Sequence, residues 1–508
     1  MIVDYEYKNQ KLIISHIGDD GNIKLKYFKW NNPTKFIICD ANDTDKHGKF
    51  VTWDGQSVKE IYTRNPDRYS IYNFLDNLPS DDQNNLFSYK EPNIFFVDIE
   101  NEILDKKPQP QLAESQIQSI SIVNKDKVLV MGVGELSDEK IKSINSDINN
   151  YFDKFGTKYK FKYINYKKEY DLVYNFFYKY VPKMPVITGW NFLNYDWVFL
   201  VNRARKLGID PSVSSFTKKL TPSFDNDLYW ELPAHRIIVD YMELYIKWDT
   251  SIKVKESNSL DFVSENVLGV KKVNYEGNLK ILHKNDYKKF IFYNAVDSIL
   301  VQKIHEKMKY VDILYGIATL SKIKVVDAYN TLPVTEGILR YKLKKEKNIV
   351  LCKRTVIDDQ IIEGGWVKDP VIGMTTWTSC YDFASLYPTT MRQFNISADS
   401  YKGYVNRDII RSRKNNLLHH FNQFNIDENV INNEYSIFQN HKLKLDKSDI
   451  VLLNGAVFKN EIGVVNDVMG NIYADRKSYK MKMFKAHNDM EESKKKLLKI
   501  EEELQSEL

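Results

Sequence analysis

Over residues 1–92 apolar and polar positions alternate in short runs, as in KLIISHIG (11–18) and KFIICD (35–40), with Gly, Asn and Asp clusters between them. Alternation of period two marks half-buried strands, so this stretch predicts a small β-rich domain. Beyond it the pattern changes. EPNIFFVDIE holds a compact apolar strand from Ile94 to Ile99, and IQSISIV (117–123) and KVLVMGVG (127–134) supply two more. Helical spacing takes over at 169–181 and 196–207, and 288–315 reads as one amphipathic helix without Pro or Gly. Strands interleaved with helices predict an α/β domain. Residues 311–352 are helical in pattern and rich in lysine, and Gly364-Gly365 marks a hinge. TTWTSCYDF (375–383) reads as a strand and SLYPTTMRQF (385–394) as a turn leading into a helix. From 472 to 508 there is no Gly or Pro, which predicts one solvated helix. Met483, Met490, Leu497 and Leu504 recur on it every seventh residue, the spacing of a seam for a partner helix. The whole predicts a multidomain α+β protein.

Composition narrows the function classes. The 508 residues are 43% hydrophobic and 13% aromatic, enough for packed cores rather than a disordered chain. No run approaches the ~20 apolar residues of a membrane span. The opening MIVDYEYKNQKL turns polar at Asp4 and has no signal-peptide core. Cys39, Cys352 and Cys380 lie far apart, which suits a reducing compartment and offers no zinc-binding spacing. With 73 Lys+Arg against 68 Asp+Glu the net charge is +5, so any nucleic-acid surface must be local.

Three acidic segments carry candidate chemistry. Asp98 and Glu100 are two apart on a strand, so both carboxylates face one side. The apolar run before them buries the strand and aims its end at a cleft. A solvated strand end would show the same pair, and alone it says little. Asp196 follows the strand PVITGW and a loop with Asn191 and Asn194, and opens a helix. A plain N-cap would look the same. Tyr293 and Asp297 are four apart in FIFYNAVDSILVQKI, which puts phenol and carboxylate on one helical face. Taken together, four carboxylates from strand, loop and helix could hold two cations about 3.5–4 Å apart, with a Tyr to orient a water. Such a pair activates water and stabilises the leaving oxygen of a phosphodiester. Oxygen ligands favour Mg²⁺ or Mn²⁺.

The order and spacing of these segments resemble the 3′–5′ proofreading exonuclease of family B DNA polymerases. The resemblance implies that Asp98, Glu100, Asp196 and Asp297 carry two metal ions and that Tyr293 orients the nucleophilic water. A longer match supports it: CYDFASLYPTTMRQFNIS (380–397) resembles the family's first polymerase motif, Asp-x-x-Ser-Leu-Tyr-Pro. By that resemblance Asp382 holds a catalytic metal of nucleotidyl transfer. The backbone at Ser385 and Leu386 cradles the dNTP triphosphate, and Tyr387 screens out the ribose 2′-OH. NGAVFKNEIGVVNDVMGNIYADRKSYKMKMF resembles the entry to the fingers helix, with Arg476 and Lys480 turned toward the incoming nucleotide. EGGWVKDP resembles the family's Tyr-Gly-Gly joint, with Glu363 where a Tyr is usual.

The resemblance is closest to T-even-type phage polymerases. It implies a β-rich N-terminal domain (1–92, completed by 311–352) and an RNase H-like exonuclease domain (93–310). A partial palm (353–458) and the first half of the fingers (459–508) would follow. The family's later polymerase motifs, including the second palm carboxylate, do not follow Asp382. One carboxylate cannot clamp both metals of nucleotidyl transfer. The expectation is therefore a split or truncated polymerase, with a complete exonuclease and a polymerase site that needs a C-terminal partner chain. Its other partners would be primer–template DNA and, as a further candidate, a sliding clamp, in the cytoplasm of an infected bacterial host. A stand-alone 3′–5′ exonuclease and a non-catalytic nucleic-acid-binding subunit are the alternatives.

Overall fold

The computed structural model describes residues 1–39, 49–53, 55–102, 108–225, 228–249, 256–276, 279–352, 367–370, 372–374, 376–383, 385–404, 446, 448–452 and 455–507. They form a mixed α/β chain of two compact units: residues 1–33 with 63–337, and residues 34–62 with 338–508.

The first unit is built on a six-stranded mixed sheet. Its strands run, in spatial order, Ile237–Asp240, Val186–Gly189, Ile94–Asn101, Ile117–Asn124, Lys127–Gly132 and Lys160–Asn165. The Ile94–Asn101 strand is parallel to Val186–Gly189 and antiparallel to Ile117–Asn124, so it lies where the pairing changes sense. Its alternation divides the core. Val97 and Ile99 pack with Leu172, Val173, Phe176, Phe177 and Trp197 on one face. Phe96 packs on the other, with the helix Tyr287–Met308. Gly189 permits a close crossing here, because a Cβ on it would stand 2.3 Å from the Val97 carbonyl oxygen.

The predicted strands at 94–99, 117–123 and 127–134 are all present. The helices depart from expectation in their ends and breaks. Residues 169–181 begin as an α-helix, Glu169–Asn175, and widen into a π turn, Phe176–Tyr180. The helix expected from 196 is entered through another π turn, Leu193–Trp197. The single amphipathic helix expected over 288–315 is two helices, Tyr287–Met308 and Tyr310–Ser321. Lys309 breaks it with φ +58°, a left-handed turn that no Gly announced. Nor is the first of them amphipathic. It is buried almost all round, Gln302, Lys303 and His305 included, as in a helix at the centre of a domain.

At the N-terminus three antiparallel strands, Ile2–Lys8, Lys11–Ile17 and Ile23–Lys29, precede two helices, Arg68–Asp76 and Ser80–Phe87. The helices were not foreseen in this β-patterned stretch. Asp67 starts the first by accepting from the Ser70 N–H at 2.8 Å. Later residues return to this region: the Val325 N–H donates to the Ile2 carbonyl, and Lys324 lies 3.5 Å from Asp4.

The second unit holds the hairpin Thr34–Ile38 with Val58–Tyr62, a small sheet of Tyr401–Tyr404, Ala456–Phe458 and Ile450–Val451, and a 44-residue helix, Val464–Glu507. That helix starts earlier than the expected residue 472 because its first turn is capped. Asp399 accepts from the Val464 N–H at 3.1 Å, and Asn395 accepts from the Gly463 N–H at 2.9 Å. Gly364, Gly365 and Glu363 lie outside the described residues.

Candidate active site

The Tyr287–Met308 helix docks on the sheet through a polar seam. Asp98 pairs in register with Ser121 and Glu100 with Ser119, so all four side chains share one face. The Ser119 hydroxyl donates to Asn294 Oδ1 at 2.9 Å, and Ser121 hydrogen-bonds Ser298 one turn on. Asn294 Nδ2 in turn donates to Asp98 Oδ2 at 2.7 Å. Seated in this register, the helix brings Asp297 to the strand end. Ligand oxygens of Asp98, Glu100 and Asp297 all lie within 4.8 Å of one another.

Asp196 joins from the other side. The Val186–Gly189 strand stops short of Ile99, which leaves the Ile99 N–H without a ladder partner on that side. Asp196 Oδ1 accepts it at 3.0 Å. Its carboxylate is thus fixed to the strand between Asp98 and Glu100, rather than capping its own helix. Asp240 anchors the turn that carries it. This buried carboxylate accepts from the Leu193 N–H and the Met242 N–H, both at 2.9 Å, and burial pushes its pKa up to about 7.

Lys272 completes the group, and sequence reasoning missed it. Its N–H donates to Asp261 at 2.7 Å. Its Nζ stands 2.5 Å from Asp297 Oδ2 and 5.0 Å from the centre of the Tyr293 ring. Tyr293 is itself buried edge-on against Tyr275, ring centroids 5.3 Å apart. Lys272 sits in an irregular segment with no periodicity to flag it. Asn294 and Ser298 did carry a signal, since they repeat the i, i+4 spacing of Tyr293 and Asp297 one position along.

The electrostatics are those of an acidic hole. Burial, and then the charge of Asp297, raises Asp98 to about 8, against the pull of Lys272 and Asn294. Burial followed by Asp98 and Asp297 holds Glu100 well above the carboxylate range, and burial followed by Asp98 does the same to Asp196. Burial raises Asp297 too, and Lys272 opposes it. One lysine cannot balance four buried carboxylates. Asp297 Oδ1 is buried with no hydrogen-bond partner among the described residues. A cluster of hard oxygen donors with an unpartnered ligand atom fits a divalent cation of the Mg²⁺ or Mn²⁺ kind.

Residues 56–231 match the family profile described as DNA polymerase family B, exonuclease domain. Over this stretch the chain is similar to the exonuclease domain of family B DNA polymerases. Asp98, Glu100 and Asp196 fall inside the matched stretch, and Lys272, Tyr293 and Asp297 fall beyond it. Over 248 residues the chain is 26% identical to the DNA-directed DNA polymerase of Escherichia phage RB69, covering 47% of this chain and 27% of that protein. Over 345 residues it is 23% identical to the DNA-directed DNA polymerase of Enterobacteria phage T4, covering 66% and 35%. DNA polymerase 1 of Sulfurisphaera ohwakuensis is 26% identical over 350 residues, covering 64% and 37%. The matches thus span 27–37% of the length of these relatives.

The remaining candidate residues lie in the second unit. Asp382 is exposed, and residues 376–383 form no strand, contrary to the sequence expectation. Among the described residues no strand pairs with this segment, so its backbone has no ladder to join. The chain turns at Ser385, with φ +56°, into the helix Leu386–Gln393. The Ser385 carbonyl accepts from the Thr389 N–H at 3.0 Å. Leu386 and Tyr387 are exposed on that helix, and Arg476 and Lys480 are exposed on Val464–Glu507. Ala384 lies outside the described residues. Among the described residues no helix is long and apolar enough to cross a membrane.

Proposed function

We propose that this chain removes nucleotides from the 3′ end of DNA by metal-assisted phosphodiester hydrolysis, as the proofreading part of a family B replicative polymerase. One observation carries the reading: Asp98, Glu100 and Asp297 converge within 4.8 Å on the fold that bears the exonuclease match. Asp98, Glu100, Asp196 and Asp297 would hold two Mg²⁺ or Mn²⁺ ions, which supply an activated water and charge stabilisation at the leaving oxygen. The chain's own residues do the positioning. The Asn294 amide sets the rotation of the Asp98 carboxylate, and the strand N–H of Ile99 fixes Asp196. Tyr293, held edge-on by Tyr275, presents its hydroxyl beside Asp297 to orient the water. Lys272 keeps the Asp297 carboxylate ionised and aimed.

In this reading 93–310 is an RNase H-like exonuclease domain, and 1–92 with 311–352 is the N-terminal domain. The bonds from Val325 and Lys324 to Ile2 and Asp4 support that return. Residues 353–458 and 459–508 are the start of a palm and of the fingers. Asp382 would bind metal, Ser385, Leu386 and Tyr387 would receive a dNTP, and Arg476 and Lys480 would meet its phosphates. Synthesis then needs a second palm carboxylate from outside these 508 residues, on a further stretch of polymerase or a partner chain. Met483, Met490 and Leu497, each about half exposed, are the seam such a partner would cover. The setting would be the cytoplasm of an infected bacterium.

A primer–template assay in Mg²⁺, with and without dNTPs, tests this. Shortening of the primer from its 3′ end without extension is expected. Asp98→Ala and Asp297→Ala should abolish it, and Asp382→Ala should leave it intact. Shortening that survives Asp98→Ala and Asp297→Ala would refute the site.

A further inference from the structure

Three tyrosines on the helix at 169–180 stand apart from everything above. Tyr170, Tyr174 and Tyr178 are 39–44% exposed and stack in sequence. Ring centroids are 6.0 Å apart for the first pair and 4.2 Å for the second, with interplanar angles of 16° and 14°. An α-helix alone would not align three side chains spaced by four, because each step overshoots a full turn by about 40°. The π turn Phe176–Tyr180 winds less tightly and cancels that drift across the second step, where the rings are closer and nearer parallel. The ladder points away from the core, since Leu172, Val173, Phe176 and Phe177 on the same helix pack against the sheet face that bears Val97 and Ile99. It therefore lies on the side of the sheet opposite Asp98 and Glu100. Lys167, Lys168, Lys179 and Lys183 flank it, all exposed and in no ion pair among the described residues. Of the two acidic residues on the same helix, Glu169 is turned inward and committed to Arg203, and Asp171 is exposed among these four lysines.

We propose that this tyrosine ladder and its lysines form a docking surface for single-stranded DNA, separate from the hydrolytic cluster. The ligand follows from the chemistry. Planar aromatic faces set among unpaired cations suit a chain that carries planar bases on a charged backbone. The outer ring faces of Tyr170 and Tyr178 meet no further ring among the described residues and can each extend the stack by one base. The lysines meet the phosphates on either side. The proposed nuclease function guides only the choice of DNA as probe, since the surface itself lies away from the carboxylates.

The test uses the full chain in EDTA, so that binding is read without cleavage. Anisotropy of labelled oligothymidylates of about 4 and about 16 nucleotides, the range of single-strand site sizes, gives affinity as a function of length. The triple variant Tyr170→Ala/Tyr174→Ala/Tyr178→Ala should bind the longer strand about tenfold more weakly, the scale of one lost base–aromatic stack, and should lose no more with the shorter strand, which reaches fewer of the ring faces and lysines. Tyr170→Phe/Tyr174→Phe/Tyr178→Phe keeps the rings and should bind both like the parent. Photocrosslinking to a bromodeoxyuridine strand should modify the tryptic fragment 169–179, which contains all three tyrosines. Equal affinity of the alanine variant and the parent for the longer strand would overturn the proposal. So would crosslinks that avoid that fragment. Because no readout depends on hydrolysis, an inactive nuclease would not be mistaken for a failed docking surface.

Discussion

Lys272→Met removes the one cation that the described residues place in the acidic cluster while keeping the aliphatic stem. At the 2.5 Å separation from Asp297 Oδ2, an effective dielectric of about 20 gives an attraction of about 7 kcal/mol. Much of that is offset by desolvation of two groups that are 25% and 4% exposed. Removing one partner of a buried pair typically costs about 3–5 kcal/mol, because the other charge is stranded. Here Asp297 is stranded beside Asp98 and Glu100, so the variant should fall at the upper end. The sign with pH follows from the raised pKa values. Carboxylates whose folded pKa lies above the unfolded one bind more protons in the native state, so stability falls as pH rises through that window. For Asp98 the window runs from about 4 to about 8. Beside Lys272 the parent's Asp297 ionises at lower pH than it does in the variant, so the variant's deficit should grow from pH 5 to pH 8. The assay is denaturant unfolding in EDTA across that range, repeated with Mg²⁺. A divalent cation restores the missing charge, so Mg²⁺ should stabilise the variant more than the parent; at a hundred times its Kd the cation adds about 2.7 kcal/mol to the protein that binds it. A variant that unfolds with the parent in EDTA at pH 8, or gains no more from Mg²⁺, would refute this electrostatic account.

Asp240→Asn should flatten the parent's loss of stability between pH 4 and 7, since a folded pKa near 7 penalises the ionised form there by up to about 4 kcal/mol. Equal slopes in parallel unfolding series would contradict it. Arg203→Met strands Glu169, which Arg203 holds with two bonds of 2.7 Å and which also accepts from the Ile117 N–H. Thermal unfolding should show a loss of about 3–5 kcal/mol. Gly189→Ala forces a methyl against the Val97 carbonyl and should cost about 1–3 kcal/mol by the same measurement.

What could be read in advance depended on periodicity. The strand at 94–101 was legible because its apolar run is compact and bounded, and the two-residue period of a strand placed Asp98 and Glu100 on one face. Tyr293 and Asp297 were legible as a helical pair. Lys272 was not, since its place at Asp297 is set by a loop hydrogen-bonded to Asp261, and loops have no period. The break at Lys309 escaped because a non-glycine residue adopts the left-handed turn. The helices at 68–87 escaped because neighbouring strands set the pattern of that region. The π turns at Phe176–Tyr180 and Leu193–Trp197 look in sequence like ordinary helix, although one carries Asp196 and the other aligns the tyrosine ladder. The strand read into TTWTSCYDF was wrong because alternation shows only that a segment can pair, and this one has no partner among the described residues.

The seam of Ser119, Ser121, Asn294 and Ser298 explains how a mostly apolar helix comes to place charge with accuracy. A helix buried almost all round meets the sheet through side chains that are interchangeable in kind, so apolar packing alone sets its position loosely. Two serine contacts, one turn apart on the helix and two residues apart on the strand, are satisfied together in only one register. A one-residue slip of strand or helix would bury four unpaired polar groups, at about 1–3 kcal/mol each. That penalty exceeds what any single apolar contact could return. Asn294 then reads the register out chemically: its carbonyl is held by the sheet, and its amide turns the Asp98 carboxylate toward Asp297. The fold thus brings three mutually repelling carboxylates to one point by fixing the neutral groups around them. The remaining repulsion falls on Lys272 and on the cations the cluster is suited to hold.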